Sequence, residues 1–365
     1  MTDLIHSALH EKHQALEAVF GDVAGWEMPL SYRGAIQEAN TVRLRAGVFD
    51  FSHAGRFRIR GDGALALLER VCTHDVVHQE DDTAEPTLLL NARGGILDTG
   101  RLLRMEDGWM LTVSPINRHK VLDHLSPLAE ELDAKLDDRT EKEATLLIAG
   151  PSAAGLLDPL LTDVMSEPAS KLPAGAVRSG TYLLARYAVA RTDELGMWSV
   201  EVTMSNLFAT KAWRFITEKA GDRCIAPTGL AAWDVLRVEA GVPAYGHEVN
   251  ETFDPYLAGL ADRVSLDHDF IGADACRSLA ARPPARKRMG LVLDQVIPRQ
   301  GSVVLDSEGA EIGAVTSGTF SSALDRAIAM ACVAASSAVP QAEVTVVQDG
   351  VRLPARIAEL PFVNG

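Results

Sequence analysis

The stretch Ala281-Arg-Pro-Pro-Ala-Arg-Lys-Arg288 divides this chain into two textures, and no other feature constrains its folding more. Adjacent prolines lock their own φ and push the preceding residue out of the helical region, so neither a helix nor a central strand runs through them. Upstream, helical and strand patterns alternate. Downstream, residues 289–363 hold short strands separated by Gly, Asp and Ser turns, at Asp306–Gly309 and at Gln348-Asp349-Gly350. The expected organisation is a mixed α+β region over residues 1–280, a linker over 281–288 and a small β-rich domain over 289–365. A chain of 365 residues is also longer than one ordinary core serves, which fits more than one subdomain.

Within the first region, residues 4–20 carry apolar positions at near-helical spacing, broken by Gly25 and Pro29. Helices are expected over 34–46, Ala64–Cys72, 117–133, 152–162, 205–220 and Pro227–Gly241. Strands are expected at Val48–Phe51, Arg56–Arg60, across 86–114, at Ala144–Ala149, Tyr182–Thr192 and Trp198–Thr203. Glu106-Asp107-Gly108 between two apolar runs is a hairpin signal. No repeat of fixed period and no low-complexity tract is visible.

Charge and cysteine usage exclude several functions. The net charge of −15 repels phosphate backbones and anionic lipid, so neither nucleic acid nor membrane is an expected partner. Cys72, Cys224, Cys276 and Cys332 lie far apart with no zinc-type Cys/His spacing, so no metal site is expected and each reads as a buried small hydrophobe. The N-terminus lacks the apolar core of a signal peptide, and no run approaches the ~18 apolar residues of a membrane span. A reducing cytoplasmic compartment is the expectation.

The residues that carry chemistry are few. There is no Gly-rich phosphate loop, no nucleophile elbow and no HExxH pair. Asp98, closing the run Gly94-Gly-Ile-Leu after a tight turn, is either a placed acid–base group or a turn-closing aspartate. His10, His13 and His53 read as structural histidines. Trp26, Trp198 and Trp233 either stack on a flat ligand or fill core space. Asp234 and Arg237, three apart on one helix, can pair. In Ser199-Val-Glu-Val202, Glu201 shares a sheet face with Ser199 and the two valines point the other way.

Taken together, several segments resemble one family. Ala24-Gly-Trp-Glu-Met-Pro-Leu30, Tyr32, Val42-Arg43, Gly47-Val-Phe-Asp50 and Ser52-His53 are similar to the N-terminal signature of the glycine-cleavage T-protein (aminomethyltransferase) family. Gly94-Gly-Ile-Leu-Asp98 resembles its folate-site turn, Gly150-Pro151 its QGP element, and Arg191-Thr192 with Glu201 its RTG…E segment. Asp234, Arg237, Glu239-Ala240 and Tyr245-Gly246 resemble its central helix. Pro255, Gly259-Leu260 and Phe270-Ile-Gly272 follow in order. Gly313-Ala-Val-Thr-Ser-Gly318, Ser321, Leu324 and Ile328-Ala329 resemble its C-terminal barrel. The resemblance covers nearly the whole chain.

It implies a three-subdomain, ring-like folate-binding fold, with two interleaved α+β subdomains over 1–280 and a β-barrel over 289–365. It implies tetrahydrofolate as cofactor, a lipoyl carrier protein as partner, and transfer of an aminomethyl group from that carrier with release of ammonia. It assigns Glu201, Trp233, Arg237 and Tyr245 to cofactor binding and Asp98 and Thr99 to the catalytic turn. At several places the sequence departs from the family pattern. The second aspartate of the family's turn is Thr99, the arginine before the helix aspartate is Trp233, the SHMG methionine is Ala54, and the RTGYTGEDGFE loop has lost its aromatic–glycine pattern. The expectation is therefore a folate-dependent one-carbon transferase with a partly altered site. The alternatives are a folate-dependent demethylase using another donor and a non-enzymatic folate-binding protein; the latter's KGCYxGQE cysteine has no counterpart in Asp267–Asp274.

Overall fold

The computed structural model describes residues 3–363; the outermost residues of the two expected end domains, 1–2 and 364–365, lie outside that range. The chain forms two compact units, neither continuous in sequence. The first holds residues up to Glu69, Asp75–Thr87 and Gly100–Trp233. The second holds Arg70–His74, Leu88–Thr99 and everything from Asp234 onward. Residues 234–280 therefore cluster with the C-terminal strands, whereas the sequence texture grouped them with the N-terminal region.

The first unit is built on a six-stranded sheet in the order Val177–Tyr182, Ala185–Arg191, Ser199–Ser205, Glu143–Ala149, Gly47–Asp50 and Ala226–Pro227. One face of it is covered by the helices Ala153–Met165 and Asn206–Arg214. Their Leu157, Leu161, Ala209 and Trp213 pack with Val48, Leu146, Ile148, Val200 and Val202 into the main core. A smaller three-stranded sheet, Ile5–His6, Trp26–Ser31 and Val19–Val23, carries the N-terminal residues. A five-stranded sheet runs Ala84–Leu90, Ile96–Met105, Gly108–Val113, Gly55–Arg60 and Lys135–Asp138. Its first two strands carry the chain out of this unit after Thr87 and back in at Gly100. The hairpin expected at Glu106-Asp107-Gly108 closes with Met105 opposite Gly108.

In the second unit, six antiparallel strands close into a barrel in the order Arg286–Leu293, Arg326–Ala334, Glu311–Ser321, Val303–Leu305, Glu343–Gln348 and Val351–Ala358. Its interior is small and apolar, with Leu291, Val304, Val315, Ala329, Ala331, Val346 and Ile357 buried. A second cluster gathers Leu88, Leu90, Ile96, Val249, Phe270 and Cys276. The helix before the barrel ends at Ala280 and the first barrel strand begins at Arg286, so only 281–285 connect them, and Arg286, Lys287 and Arg288 of the expected linker belong to a strand.

Three local expectations are corrected. The apolar spacing over 4–20 yields helix only at His10–Ala15. Val19–Val23 instead pairs with Trp26–Ser31 through a tight turn at Ala24-Gly25, both at positive φ and tied by a bond from the Gly25 N–H to Asp22. Strand pairing thus overrides a helical pattern. The strand expected at Tyr182–Thr192 starts only at Ala185; Tyr182 ends a preceding strand, Val177–Tyr182, that the sequence reading missed, and the two are joined at Leu183-Leu184. Both leucines take the left-handed conformation (φ 48° and 70°), which asparagine or glycine normally supplies, so the turn left no signal. The helix at 205–220 is α-helical only to Arg214 and closes with a π turn over Phe215–Lys219.

Candidate functional site

Glu201 sits in the middle of the strand Ser199–Ser205. Val200 and Val202 anchor one side of that strand in the main core. By alternation Glu201 projects from the opposite face, with Ser199 and Thr203. Ala190 and Leu147 lie directly across from it on the two neighbouring strands, and Phe49 extends the row from Leu147. Along the same face Thr203 and Thr145 share a hydroxyl–hydroxyl bond of 2.8 Å.

The Glu201 carboxylate has one cationic partner that sequence reading missed. Arg101 Nη1 donates to Glu201 Oε1 at 3.3 Å, and Arg101 Nη2 lies 3.6 Å from Glu194. Among the described residues, Glu201 Oε2 accepts no hydrogen bond. Burial pushes the Glu201 carboxyl above the usual carboxylate range. Glu194 pushes the same way, while Arg101 and Arg56 pull back without reversing it. The result is a largely buried carboxyl, 17% exposed, held by one arginine with acceptor capacity to spare.

The first unit also holds an aromatic group. Trp233 meets Phe51 edge-on at 5.6 Å, and Phe51 meets His53 at 5.7 Å. Beneath this group Arg56 is fully buried and donates to the carbonyls of Ser52, Ala54, Thr140 and Glu143. Burial lowers it to about 10, so it remains charged at neutral pH. Burial also drops His53 to about 4, which keeps that imidazole neutral. His13 is fixed from both nitrogens, by Asp50 at 3.0 Å and Tyr32 at 2.8 Å. Of the other tryptophans, Trp26 is buried and Trp198 lies 5.9 Å from the Arg191 guanidinium.

The second unit holds Asp98, Thr99, Arg237 and Tyr245. Asn91 ties the turn before Asp98, its side chain accepting from the N–H groups of Arg93 and Gly95, and Ile96 N–H donates to the Phe253 carbonyl. Gly95 is required here: a Cβ would fall 2.0 Å from the Glu251 carbonyl oxygen. Asp98 is wholly buried on the same strand face as Ile96, and Thr99 is half-buried on the other. Tyr245 packs against the cluster that contains Ile96.

Arg237 is also wholly buried, and its donors are spent inside the unit. They reach Asp234 at 2.8 Å, Glu248 at 2.9 Å and Ser317 at 2.8 Å. The expected Asp234–Arg237 pair is thus present, with Asp234 half-exposed and presented by the arginine. Glu248 belongs to no motif read from the sequence, and the barrel segment Gly313–Gly318 that contains Ser317 gave no sign of this partner; the folded chain brings both to Arg237.

No helix among the described residues is long and apolar enough to cross a membrane. Residues 9–268 match the GCVT N-terminal domain, and residues 286–364 match the glycine cleavage T-protein C-terminal barrel domain. The chain is 37% identical to an aminomethyltransferase of Thermus thermophilus, over 97% of this chain and 98% of that protein. It is 35% identical to one of Saccharopolyspora erythraea, over 97% and 96%. Its fold superposes on the crystal structure of the glycine cleavage system aminomethyltransferase T of Bartonella henselae with a TM-score of 0.89 at 28% identity, covering 99% and 98% of the two chains. The mixed sheets, the closed C-terminal barrel and these matches along the full length together make this chain a member of the glycine-cleavage T-protein, or aminomethyltransferase, family of transferases.

Proposed function

We propose that this protein binds tetrahydrofolate through Glu201 and moves a one-carbon unit onto it, with the aminomethyl group of a lipoyl carrier protein as donor. The observation that carries the reading is the Glu201 carboxyl: largely buried, with Arg101 on one oxygen and an acceptor face left for ligand N–H groups. A pterin ring offers such donors on one edge and a flat aromatic face. Trp233 and Phe51 supply apolar surface in the same unit.

When bound, tetrahydrofolate would supply the nitrogen acceptors for the one-carbon unit, with the lipoyl sulfur and ammonia as the groups displaced. The protein's own residues bind, orient and move protons. Glu201 fixes the ring edge. Arg237 holds Asp234 in place, acting as a positioning residue. Asp98, buried at the end of the folate-type turn on the strand face opposite Thr99, is the carboxyl which that catalytic turn retains, and Tyr245 supports the turn through the cluster around Ile96. Thr99 provides a hydroxyl where the family pattern has a second aspartate. A hydroxyl hydrogen-bonds but carries no negative charge at neutral pH. Loss of a positioned acid–base group costs about 10²–10⁴-fold in rate, so aminomethyl transfer is expected to be slow. The same substitution, with Trp233 in place of an arginine, favours a second reading in which another methyl donor is used. Action in the cytoplasm accompanies either reading.

Titration with tetrahydrofolate, followed by tryptophan fluorescence, tests the binding step. Glu201→Ala is expected to weaken binding more than Asp98→Ala does, and the reverse order sinks the assignment of the pterin contact. Thr99→Asp is expected to raise the rate with aminomethylated lipoyl carrier by at least about tenfold. An unchanged rate in a variant that still binds folate points to the other donor.

A further inference from the structure

Strand pairing in the first unit brings together three residues that sequence spacing alone does not associate. Ile5–His6 pairs in parallel with the start of Trp26–Ser31, and the register sets His6 opposite Glu27. The chain then turns into the short helix that begins at His10, so the His10 ring returns onto His6, with centroids 3.8 Å apart and planes nearly parallel. Both imidazoles aim Nε2 at the same carboxylate oxygen: His6 lies 3.2 Å and His10 3.4 Å from Glu27 Oε2. The three donor atoms all lie within 4.8 Å of one another.

We propose that His6, His10 and Glu27 form a site for one divalent transition metal of the zinc type, with the remaining coordination position open to water. Zinc bonds of about 2.0–2.1 Å at the tetrahedral angle set ligand atoms about 3.3 Å apart, which both measured separations match. Two imidazoles and a carboxylate select Zn²⁺, Co²⁺, Ni²⁺ or Cu²⁺ over Mg²⁺ and Ca²⁺, which prefer all-oxygen shells. The ligands are poised for a cation. Glu11 adds negative charge alongside Glu27, and Phe20 backs the His10 ring at 4.9 Å. Only a small splay of the stacked rings is needed to turn a shared contact on one oxygen into three bonds to one ion. Such an ion would clamp the strand Ile5–His6, the strand Trp26–Ser31 and the His10–Ala15 helix together.

The test is a titration of the full-length, tag-free protein with Co²⁺, read by its visible d–d absorption and reversed by Zn²⁺. The expected result is one Co²⁺ per chain with the spectrum of a nitrogen–oxygen shell, and a higher Tm with Zn²⁺ than with a chelator present. His6 and Glu27 both reach solvent, so His6→Ala and Glu27→Gln are expected to keep the native far-UV circular dichroism. Each is expected to weaken Co²⁺ binding by more than about tenfold, the least that even an outer-shell change usually costs. Three outcomes overturn the proposal: no stoichiometric binding, affinity unchanged in both variants, or a thiolate-to-cobalt charge-transfer band that places the ion at a cysteine.

Discussion

Asp50 shows how much a single buried group can weigh. It is enclosed in the first unit and accepts from the Ser7 hydroxyl, the Ser52 N–H and His13. Burial alone would raise its carboxyl, but His13 and the two serines outweigh that and hold it at about 2, below the ordinary 3.8. A carboxyl depressed on folding contributes stability above its unfolded pKa, and that contribution disappears as pH falls from about 4 toward 2. The shift corresponds to roughly 2 kcal/mol. Asp50→Asn is therefore expected to lower the Tm at pH 7, and to lower it less and less as unfolding is followed down through pH 4 to pH 2. A Tm deficit that stays constant over that range would show that the carboxylate's charge is not what matters. Glu201, with Arg101 as its hydrogen-bond donor and burial dominant, shifts in the opposite direction, the kind of perturbation that functional sites concentrate.

Among the elements, the hairpin tip Leu183-Leu184 stands out because its leucines combine left-handed backbone with 71% and 98% exposure. Each such residue costs about 1–2 kcal/mol in conformation and gains nothing from burial. Replacing the pair by Asn-Gly is expected to raise stability by about 1 kcal/mol or more, read as a higher urea midpoint at unchanged m-value. A lower midpoint would mean that the leucines make contacts that hold the tip. This hairpin also marks the limit of what the sequence discloses. An uninterrupted apolar run such as Ala144–Ala149 and a helical pattern such as Ala35–Leu44 were legible from it; a turn built from leucines was not. The site divides in the same way. Glu201 could be placed on its face by alternation with Val200 and Val202. Arg101 could not be assigned to it, because the two meet across a hundred residues of chain and only the stacking of two sheets aligns them. The histidine pair with Glu27 was hidden for the same reason, since a parallel register and a helix start create it.

At the scale of the whole molecule, the compact units do not follow the boundary at the Pro-Pro segment. The helix Leu230–Glu239 supplies Val238 to a cluster with Ile328 and Met330, and Arg237 to Ser317, both across the connecting residues 281–285. A chain ending at residue 285 would expose Val238 and leave Arg237 and Glu248 without Ser317. Losing a hydrogen-bond partner of buried charged groups costs about 1.5–3 kcal/mol, beside the apolar burial lost with the barrel. The truncated protein is expected to bind a hydrophobic dye and to lose its cooperative thermal transition. A sharp transition without dye binding would show that residues 1–285 are self-sufficient. The match to family profiles on both sides of this boundary fits a barrel that belongs to the functional protein as much as to its stability.

Alternation along Ser199–Ser205 ties the placement of the Glu201 carboxyl to the burial of Val200 and Val202. Adding or deleting one residue ahead of Glu201 in that strand would drive the carboxylate into the oily interior and turn two valines outward. The strand has no intermediate setting, so length changes there should be purged as misfolding before they could ever be judged as altered ligand choice.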